Sequence, residues 1–381
     1  MTKREAGRDD VLRIAVLLGD GIGPEVVPCA VDVLARAAER HRESLVFTEL
    51  PIGLAAIETH GSTLPSTTLD QLQQHDAWVL GPVSHHAYPV EDVRYVSPSG
   101  YLRKHFDLFA NIRTVRSEYG VRPLRAGIDL AIVRENTEGF YADRNVLDGN
   151  GELRPDADTV VSVRIVTRRA CERIARQAFE LAYGRRKRVT IVHKANVLRR
   201  GDGLFVATCL EVARQFPDVA VDDLHVDAFA TQLVIEPTTF DVVVTTNMFG
   251  DITSGEAAGL VGGLGFAPSL NSGARYAMAQ AAHGSAPQLA GKATANPVAT
   301  ILSVQMLAAW LARKHGRPGL AQAANDIEAA VARALADPAN HTPDAGGTAS
   351  TRDLAGAIAG QLGTGSEREG DVTDALMHEL S

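Results

Sequence analysis

Phe240-Asp241-Val242-Val243-Val244-Thr245-Thr246-Asn247-Met248-Phe249-Gly250-Asp251-Ile252-Thr253-Ser254-Gly255-Glu256 reads as a buried strand that passes through a turn into a helix. Its first part is largely apolar and β-branched, which suits a strand covered on both faces. The helix is expected to start near Glu256-Ala257-Ala258-Gly259-Leu260. Asp251 then lies at the carboxyl end of a strand, where open α/β sheets tend to place chemistry. Two roles stay open for it on this stretch alone: a metal ligand, or a cap on the following helix. Locally the cap is favoured.

The chain around this stretch has 381 residues. That is enough for a large core and too long for one simple layer, so two domains are expected. With 45% apolar and 22% charged residues it has the proportions of a soluble globular protein. A net charge of −8 argues against general nucleic-acid binding, which needs a basic footprint. The basic run Arg185-Arg186-Lys187-Arg188 is expected to be a solvated turn. Cys29, Cys171 and Cys209 are far apart and odd in number, which indicates neither a disulfide framework nor a zinc site and fits the cytoplasm. Neither a signal peptide nor a membrane-spanning stretch is expected.

Strands and helices alternate along the chain, which implies a mostly parallel sheet with covered faces. Strands are expected at 11–18, 45–50, 77–82, 127–134, 161–166, 188–193, 240–246 and near 224–227. Helices are expected at 26–40, 64–74, 167–183, 203–216, 298–315 and 320–336, with a frayed acidic tail from Leu362. Gly19-Asp20-Gly21-Ile22-Gly23 is a glycine-rich turn that lets backbone approach a ligand, but its spacing is not the dinucleotide fingerprint. Residues 142–160 read as a polar excursion from the compact body.

Charged residues recur where strands end: Arg134, Lys194, Asp227 and Asp251. Each alone has an ordinary explanation as a surface ion pair, a solvated lysine or a helix cap. Strand ends converge on one sheet edge, however, so together they describe a cleft. Arginines there would grip carboxylates in a fork geometry, and two aspartates would suit Mg²⁺ or Mn²⁺. The residues therefore point to a small polycarboxylate and a divalent cation.

Six motifs occur in order: Gly19 to Glu25, Leu102-Arg103-Lys104 with Phe109 to Arg113, Arg134 to Gly139, His193-Lys194-Ala195-Asn196, Asn247 to Asp251, and His283-Gly284-Ser285-Ala286-Pro287. With them the chain resembles the isocitrate and 3-isopropylmalate dehydrogenase family of β-decarboxylating dehydrogenases, over about residues 11 to 360. The resemblance implies that family's α/β fold, with two domains around a large mostly parallel sheet, and not a Rossmann fold. It implies a large cofactor-binding domain at 1–108 and 262–381. A small dimerisation and substrate domain would occupy 109–261, with an intersubunit clasp at about 142–160.

The implied reaction is oxidation of a 2-hydroxy-3-carboxy acid by NAD or NADP, followed by loss of CO₂, with Mg²⁺ or Mn²⁺ as Lewis acid. Ser97, Arg103, Arg113 and Arg134 would bind substrate. Lys194 would be the base and Tyr141 the acid. Asp227 and Asp251 would be metal ligands. Cofactor positions would be Ile22, Asn196, Asn247, His283, Gly284, Ser285, Ala286, Gln288 and Asn296. Lys194 and Asp227 would come from the partner of a homodimer with shared active sites. Gln288, where NAD-using members carry an aspartate, neither repels nor pairs with a 2′-phosphate. Thr342-Pro343-Asp344 with Gly346-Gly347-Thr348 looks like the NAD-using branch.

The chain also departs from the pattern. Gly255 stands four residues after Asp251, where the family carries another aspartate on the same helical face. Ser97, six residues before Arg103, resembles the serine of isocitrate enzymes, the Arg134 to Gly139 stretch resembles the isocitrate, homoisocitrate and tartrate side, and Ser97 to Tyr101 as a whole matches none of these cleanly. A 3-isopropylmalate, malate, tartrate or phosphonate substrate is the alternative, and a non-catalytic regulatory subunit is the alternative of another class. His85 and His86 are expected to be solvated or to form pocket wall.

Overall fold

A computed structural model describes residues 11–89, 96–119, 121, 123–141 and 151–363. The described chain divides into two compact units, one built from 11–102 with 264–363 and the other from 103–263. The first unit opens with β1 (Val11–Leu17), α1 (Gly23–Arg40), β2 (Ser44–Glu49), α2 (Gly53–His60), α3 (Ser66–Leu72) and β3 (Ala77–Leu80). Helix α4 (Pro98–His105) carries the chain into the second unit. There follow β4 (Ala110–Arg116), β5 (Asp129–Glu135), β6 (Glu152–Asp156), β7 (Thr159–Ser162), α5 (Arg168–Tyr183), β8 (Arg188–His193), α6 (Gly201–Ala213), β9 (Ala220–His225), α7 (Val226–Ile235), β10 (Val242–Thr245) and α8 (Asn247–Leu260). The chain then completes the first unit with β11 (Leu270–Ser272), β12 (Ala277–Ala279), α9 (Val298–His315), α10 (Pro318–Leu335) and α11 (Thr351–Gly360).

Strands of the first unit lie in the order β2-β1-β3-β12-β11, those of the second in the order β4-β5-β10-β8-β9. All described pairings within these orders are parallel except β11 with β12 and β4 with β5. The expected class, α/β with mostly parallel sheet, is the one observed. The Val242-Val243-Val244 run shows why. Val242 and Val244 pack with α5 and α6, while Val243 faces the opposite layer with Phe229, Leu233 and Ala257. Both faces are covered, so alternation disappears from the sequence.

Several expectations are corrected. Helix α8 begins at Asn247 with Thr246 before it, nine residues earlier than the expected start. Asp251 is therefore inside the helix, and the capping role is excluded. Val161 to Val166 is not one strand: β7 ends at Ser162, and Ile165 makes only an isolated bridge with Gly139. The segment after Leu224 is helix α7, not the end of a strand alone. The basic run is the expected turn with Arg186, Lys187 and Arg188 exposed, except that Arg185 folds back to bond the buried Asp241 at 2.8 Å and Asp129 at 2.8 Å. Of the expected clasp, 142–150 lies outside the described residues. Its remainder forms the exposed hairpin β6–β7. The acidic tail from 364 also lies outside the described residues. Among the described residues no helix is long and apolar enough to cross a membrane.

Candidate active site

The second unit gathers Arg113, Arg134, Tyr141 and Asp251 around one carboxylate. Arg134 is the next-to-last residue of β5 and lies beside Thr245 of β10, so the chain leaving β10 turns directly over it. Gly250 makes this possible: a Cβ there would sit 2.7 Å from both Cβ and Cγ of Arg134. The close approach buries Arg134 to 1% exposure and brings Asp251, one residue on, to its head group. Arg134 Nη1 donates to Asp251 Oδ1 at 2.5 Å, and Arg113 Nη2 lies 3.0 Å from the same oxygen. The Tyr141 hydroxyl donates to Asp251 Oδ2, and the Arg134 guanidinium lies 5.0 Å from the Tyr141 ring centroid.

Neighbours hold these groups in place. Arg113 donates through Nε to Asn111 at 2.8 Å and through Nη1 to Ser254 at 2.7 Å. Arg134 Nε donates to Asn247 Oδ1 at 2.8 Å, and the Asn247 amide donates to the Glu138 carbonyl at 2.8 Å. Asn247 is fully buried with both ends of its amide engaged, so it orients Arg134. Arg103 reaches Asn136 at 3.4 Å. Among the described residues Arg134 Nη2 is buried and has no hydrogen-bond partner.

Charge balance follows from this geometry. Burial would raise the Asp251 carboxyl, but the Arg134 and Arg113 guanidiniums, the Tyr141 hydroxyl and Arg103 hold it at about 2. Burial and the repulsion of Arg134 lower Arg113 to about 10, against the pull of Asp251. Both remain charged at neutral pH. Burial raises the neighbouring Glu135 carboxyl, against bonds from Thr137 and Glu138.

Lys194 and Asp227 form a second group, at the ends of β8 and β9. Lys194 Nζ donates to Asp227 Oδ1 at 2.5 Å, and that bond with the ammonium holds the Asp227 carboxyl below its ordinary value. Strand β10 lies between β5 and β8, which sets this group about 10 Å or more from Arg134 at ordinary strand spacing. One chain thus brings the arginines, Tyr141 and Asp251 together, and brings Lys194 to Asp227, as two groups. Asn196, just beyond, is exposed.

The first unit holds the remaining candidates. Ile22 N–H donates to the Ser285 carbonyl at 2.9 Å. Gly21, at φ +58, passes so close that a Cβ would lie 2.0 Å from that oxygen. Asp20, buried, anchors the turn by accepting from the Leu54 and Ser84 amides at 2.7 Å each and from the Tyr88 hydroxyl. His283 Nδ1 pairs with the Gly284 carbonyl at 2.9 Å, and its Nε2 is buried with no partner among the described residues. Burial holds His283 below its ordinary value. The ring is therefore neutral, with Nδ1 the donor and Nε2 an unused acceptor. Asn296 donates to Asp344 at 3.1 Å and accepts from Val298 N–H at 3.0 Å. Gly284 and Gln288 are exposed, and Ala286 takes a left-handed backbone with φ +40. Ser97 Oγ shares a 2.9 Å hydrogen bond with His85 Nδ1, so His85 is tied to a candidate substrate residue and is not merely solvated.

Cofactor and cation fare differently against these residues. The His283 Nε2, without a partner among the described residues and two residues from the close Gly21–Ser285 crossing, fits an adenosine with an N–H to give. A divalent cation does not fit within one chain. Asp251 is a single carboxylate already accepting from two guanidiniums and a phenol, and Asp227 belongs to the other group. Among the described residues no set of three or more His, Cys, Asp or Glu side chains is placed to hold a metal ion. Gly255 lies one helical turn after Asp251, and a Cβ there meets nothing within 4 Å. Gly255→Asp is thus expected to fold normally and to tighten Mn²⁺ binding by about tenfold or more, since carboxylate number tunes cation affinity by orders of magnitude. Electron paramagnetic resonance of free Mn²⁺ in a titration measures this; equal binding by both proteins would refute it.

Sequence reasoning missed the supporting residues, chiefly Asp20, Asn111, Asn136, Asp202 and Ser254. Only Asp20 had a visible cue, its two flanking glycines. Comparison with known proteins agrees with the geometry. Residues 13–358 match the family model described as isocitrate/isopropylmalate dehydrogenase. An isocitrate/homoisocitrate dehydrogenase of Thermus thermophilus is 42% identical over 350 residues, covering 91% of this chain and 97% of that protein. A 3-isopropylmalate dehydrogenase of Archaeoglobus fulgidus is 40% identical, covering 92% and 99%. The crystal structure of isocitrate dehydrogenase from Methylococcus capsulatus superposes with a TM-score of 0.80 at 37% identity, covering 92% of this chain and 99% of that one. With a family model spanning nearly its whole length and relatives this similar, the chain is an oxidoreductase and belongs to the isocitrate/isopropylmalate dehydrogenase family.

Proposed function

We propose that the chain oxidises an isocitrate-like or homoisocitrate-like 2-hydroxy-3-carboxy acid with NAD and releases its C3-linked carboxylate as CO₂. The observation that carries this reading is the buried, partnerless Nη2 of Arg134 beside Arg113 and Tyr141. A guanidinium nitrogen held in that state is a position prepared for an anion, because leaving it unpaired is costly. Arg103, Arg113 and Arg134 take the substrate carboxylates. Ser97, polarised by His85, takes the distal group, and that polar pair favours an anionic or hydroxylated tail over the isopropyl group of 3-isopropylmalate. Among the similar proteins, those named isocitrate/homoisocitrate and homoisocitrate dehydrogenase fit this choice.

NAD, held on the His283 and Asn296 side, would supply the acceptor for the C2 hydride. Lys194, as the free amine, removes the C2 hydroxyl proton and becomes the ammonium, so the oxygen closes to a carbonyl. The C3–carboxylate bond then breaks, CO₂ leaves, and its electron pair passes into an enolate of the remaining acid. The Tyr141 hydroxyl gives C3 a proton. Lys194 and Tyr141 belong to the two separate groups of one chain, so the reading includes a homodimer in which a second copy brings Lys194 and Asp227 to Tyr141 and Asp251. Exposed apolar side chains in the second unit support a covered surface there: Ile235, Ile252, Leu153 and Val160 are 58–62% exposed. Dependence on Mg²⁺ or Mn²⁺ belongs to this reading, with the two aspartates supplied by two copies. The proposed compartment is the cytoplasm.

A panel of isocitrate, homoisocitrate, 3-isopropylmalate, malate and tartrate, each with NAD⁺ or NADP⁺ and Mg²⁺ or Mn²⁺, tests the proposal. Turnover of isocitrate or homoisocitrate with NAD⁺ should exceed that of 3-isopropylmalate by about tenfold or more, as a polar pair left without its partner disfavours an apolar tail. Absence of turnover with every acid would overturn it in favour of a regulatory subunit.

A further inference from the structure

We infer that Asp202, with Arg164, is a positioning residue that fixes the backbone from which Lys194 reaches; this rests on the reading of Lys194 as the base. Asp202 occupies the first turn of α6 and its side chain is 0% exposed. Its two oxygens are divided between two donors. Oδ2 accepts from the Lys194 backbone N–H at 2.6 Å, and Oδ1 accepts from Arg164 Nη2 at 2.5 Å. No local backbone need explains this bond, because the α6 turn is already formed by Asp202 N–H bonding the Leu198 carbonyl at 2.9 Å. The carboxylate instead clamps the residue that leaves β8. The Lys194 carbonyl is held as well, accepting from the Val197 and Leu198 amides at 3.0 and 2.8 Å. With both backbone groups fixed, the ammonium is the only part of Lys194 left to swing, and it meets Asp227.

Arg164 extends the clamp toward the other candidate group. Its guanidinium lies 5.4 Å from the ring centroid of Phe140, the residue before Tyr141. The adjoining Ile165 bridges Gly139 through N–H to carbonyl bonds in both directions, at 2.9 and 3.4 Å. Gly201 leaves room for Arg164, since a Cβ there would come within 2.8 Å of its Nη1. One buried ion pair therefore ties the base segment to the segment carrying the acid. In the proposed dimer these two segments of one chain serve two different sites, so the clamp also joins the sites mechanically.

A second buried pair serves as an internal control. Arg185 and Asp241 are 12% and 1% exposed and hold the other end of the same strand, Asp241 Oδ2 accepting from the Arg188 N–H at 3.3 Å. A purely structural role predicts that Asp202→Asn and Asp241→Asn behave alike. The positioning role predicts that Asp202→Asn lowers kcat by about 10- to 100-fold with KM within about threefold, the cost expected of a small misplacement of a reacting group. Asp202→Glu should recover part of that loss, and Asp241→Asn should leave kcat per folded molecule unchanged. A readout free of catalysis accompanies this. The chain has six lysines, so ¹⁵N-lysine labelling gives few backbone amide signals. The Lys194 amide, assigned with Lys194→Arg, should shift and exchange faster with solvent in Asp202→Asn alone. Unchanged kcat and amide exchange in Asp202→Asn, in a wild type that turns over, would overturn the inference. An equal loss of kcat in Asp241→Asn would do the same. A wild type without turnover would overturn the function first, and the positioning role with it.

Discussion

Lys194→Met should lower kcat by about 10²- to 10⁴-fold, the usual contribution of a positioned general base, while the protein stays folded. The two halves of that expectation have separate grounds. Lys194 leaves β8 with a side chain 25% exposed, and its one described side-chain partner, Asp227, is 67% exposed. An ion pair so open to water contributes about 0–1 kcal/mol, so its loss should scarcely move thermal unfolding. Methionine keeps the apolar stem and removes only the nitrogen. The chemistry has no such tolerance. A hydride cannot leave C2 unless the hydroxyl proton leaves too, and the arginines around Asp251 are cations that accept none. KM should change little, because the carboxylate grips remain. Supplying the 2-oxo acid intermediate directly separates the roles: Lys194→Met should still decarboxylate it, and Tyr141→Phe should fail to protonate the product. A kcat within threefold of wild type, or loss of both half-reactions in Lys194→Met, would remove Lys194 from the role of base.

The strand ends were legible because covered strands carry a strong signature. Val242-Val243-Val244 and Val189 to Val192 are buried on both faces, and a charged residue just beyond such a run stands out. What the residues do to one another was not legible. Arg134 and Asp251 are 117 residues apart and Tyr141 and Asp251 are 110 apart, and nothing local states that they meet. The start of α8 was misplaced for a related reason. Gly250 is helical, and a Cβ there would sit 2.7 Å from the Arg134 stem, a tertiary demand invisible in the stretch itself. That both ends of the Asn247 amide are engaged was not legible either. Asp202 drew no notice, standing just before the helix expected at 203–216, although it lies in the first turn of α6. Its burial and its hold on Lys194 depend on Arg164, which the sequence places in a segment that reads as a half-exposed strand. Motif order carried the family, and with it the expectation that Lys194 and Asp227 stand apart from the arginines of their own chain, whereas the residues that hold each group in place were not legible.

Arg134→Met should cost both stability and substrate affinity, and the size of each follows from what the guanidinium leaves behind. Asn247 Oδ1 would lose its donor in a fully buried position, and Asp251 would keep only Arg113 and the Tyr141 hydroxyl. Breaking a buried pair from one side costs roughly 3–5 kcal/mol. The lower part of that range, about 3 kcal/mol, applies here because Asp251 is 39% exposed and can take up water. Chemical denaturation at pH 7 measures it. Affinity should fall separately, because the partnerless Nη2 goes too. A hydrogen bond to a charged group is worth about 1.5–3 kcal/mol, so KM for the preferred acid should rise by about 10- to 100-fold. Arg134→Lys sharpens the test. Lysine restores the charge but cannot bond Asn247, Asp251 and an anion at once from a planar fork. It should recover stability in part and affinity hardly at all. If Arg134→Lys binds substrate as wild type does, the fork geometry is not what holds the carboxylate, and Nη2 is not its seat.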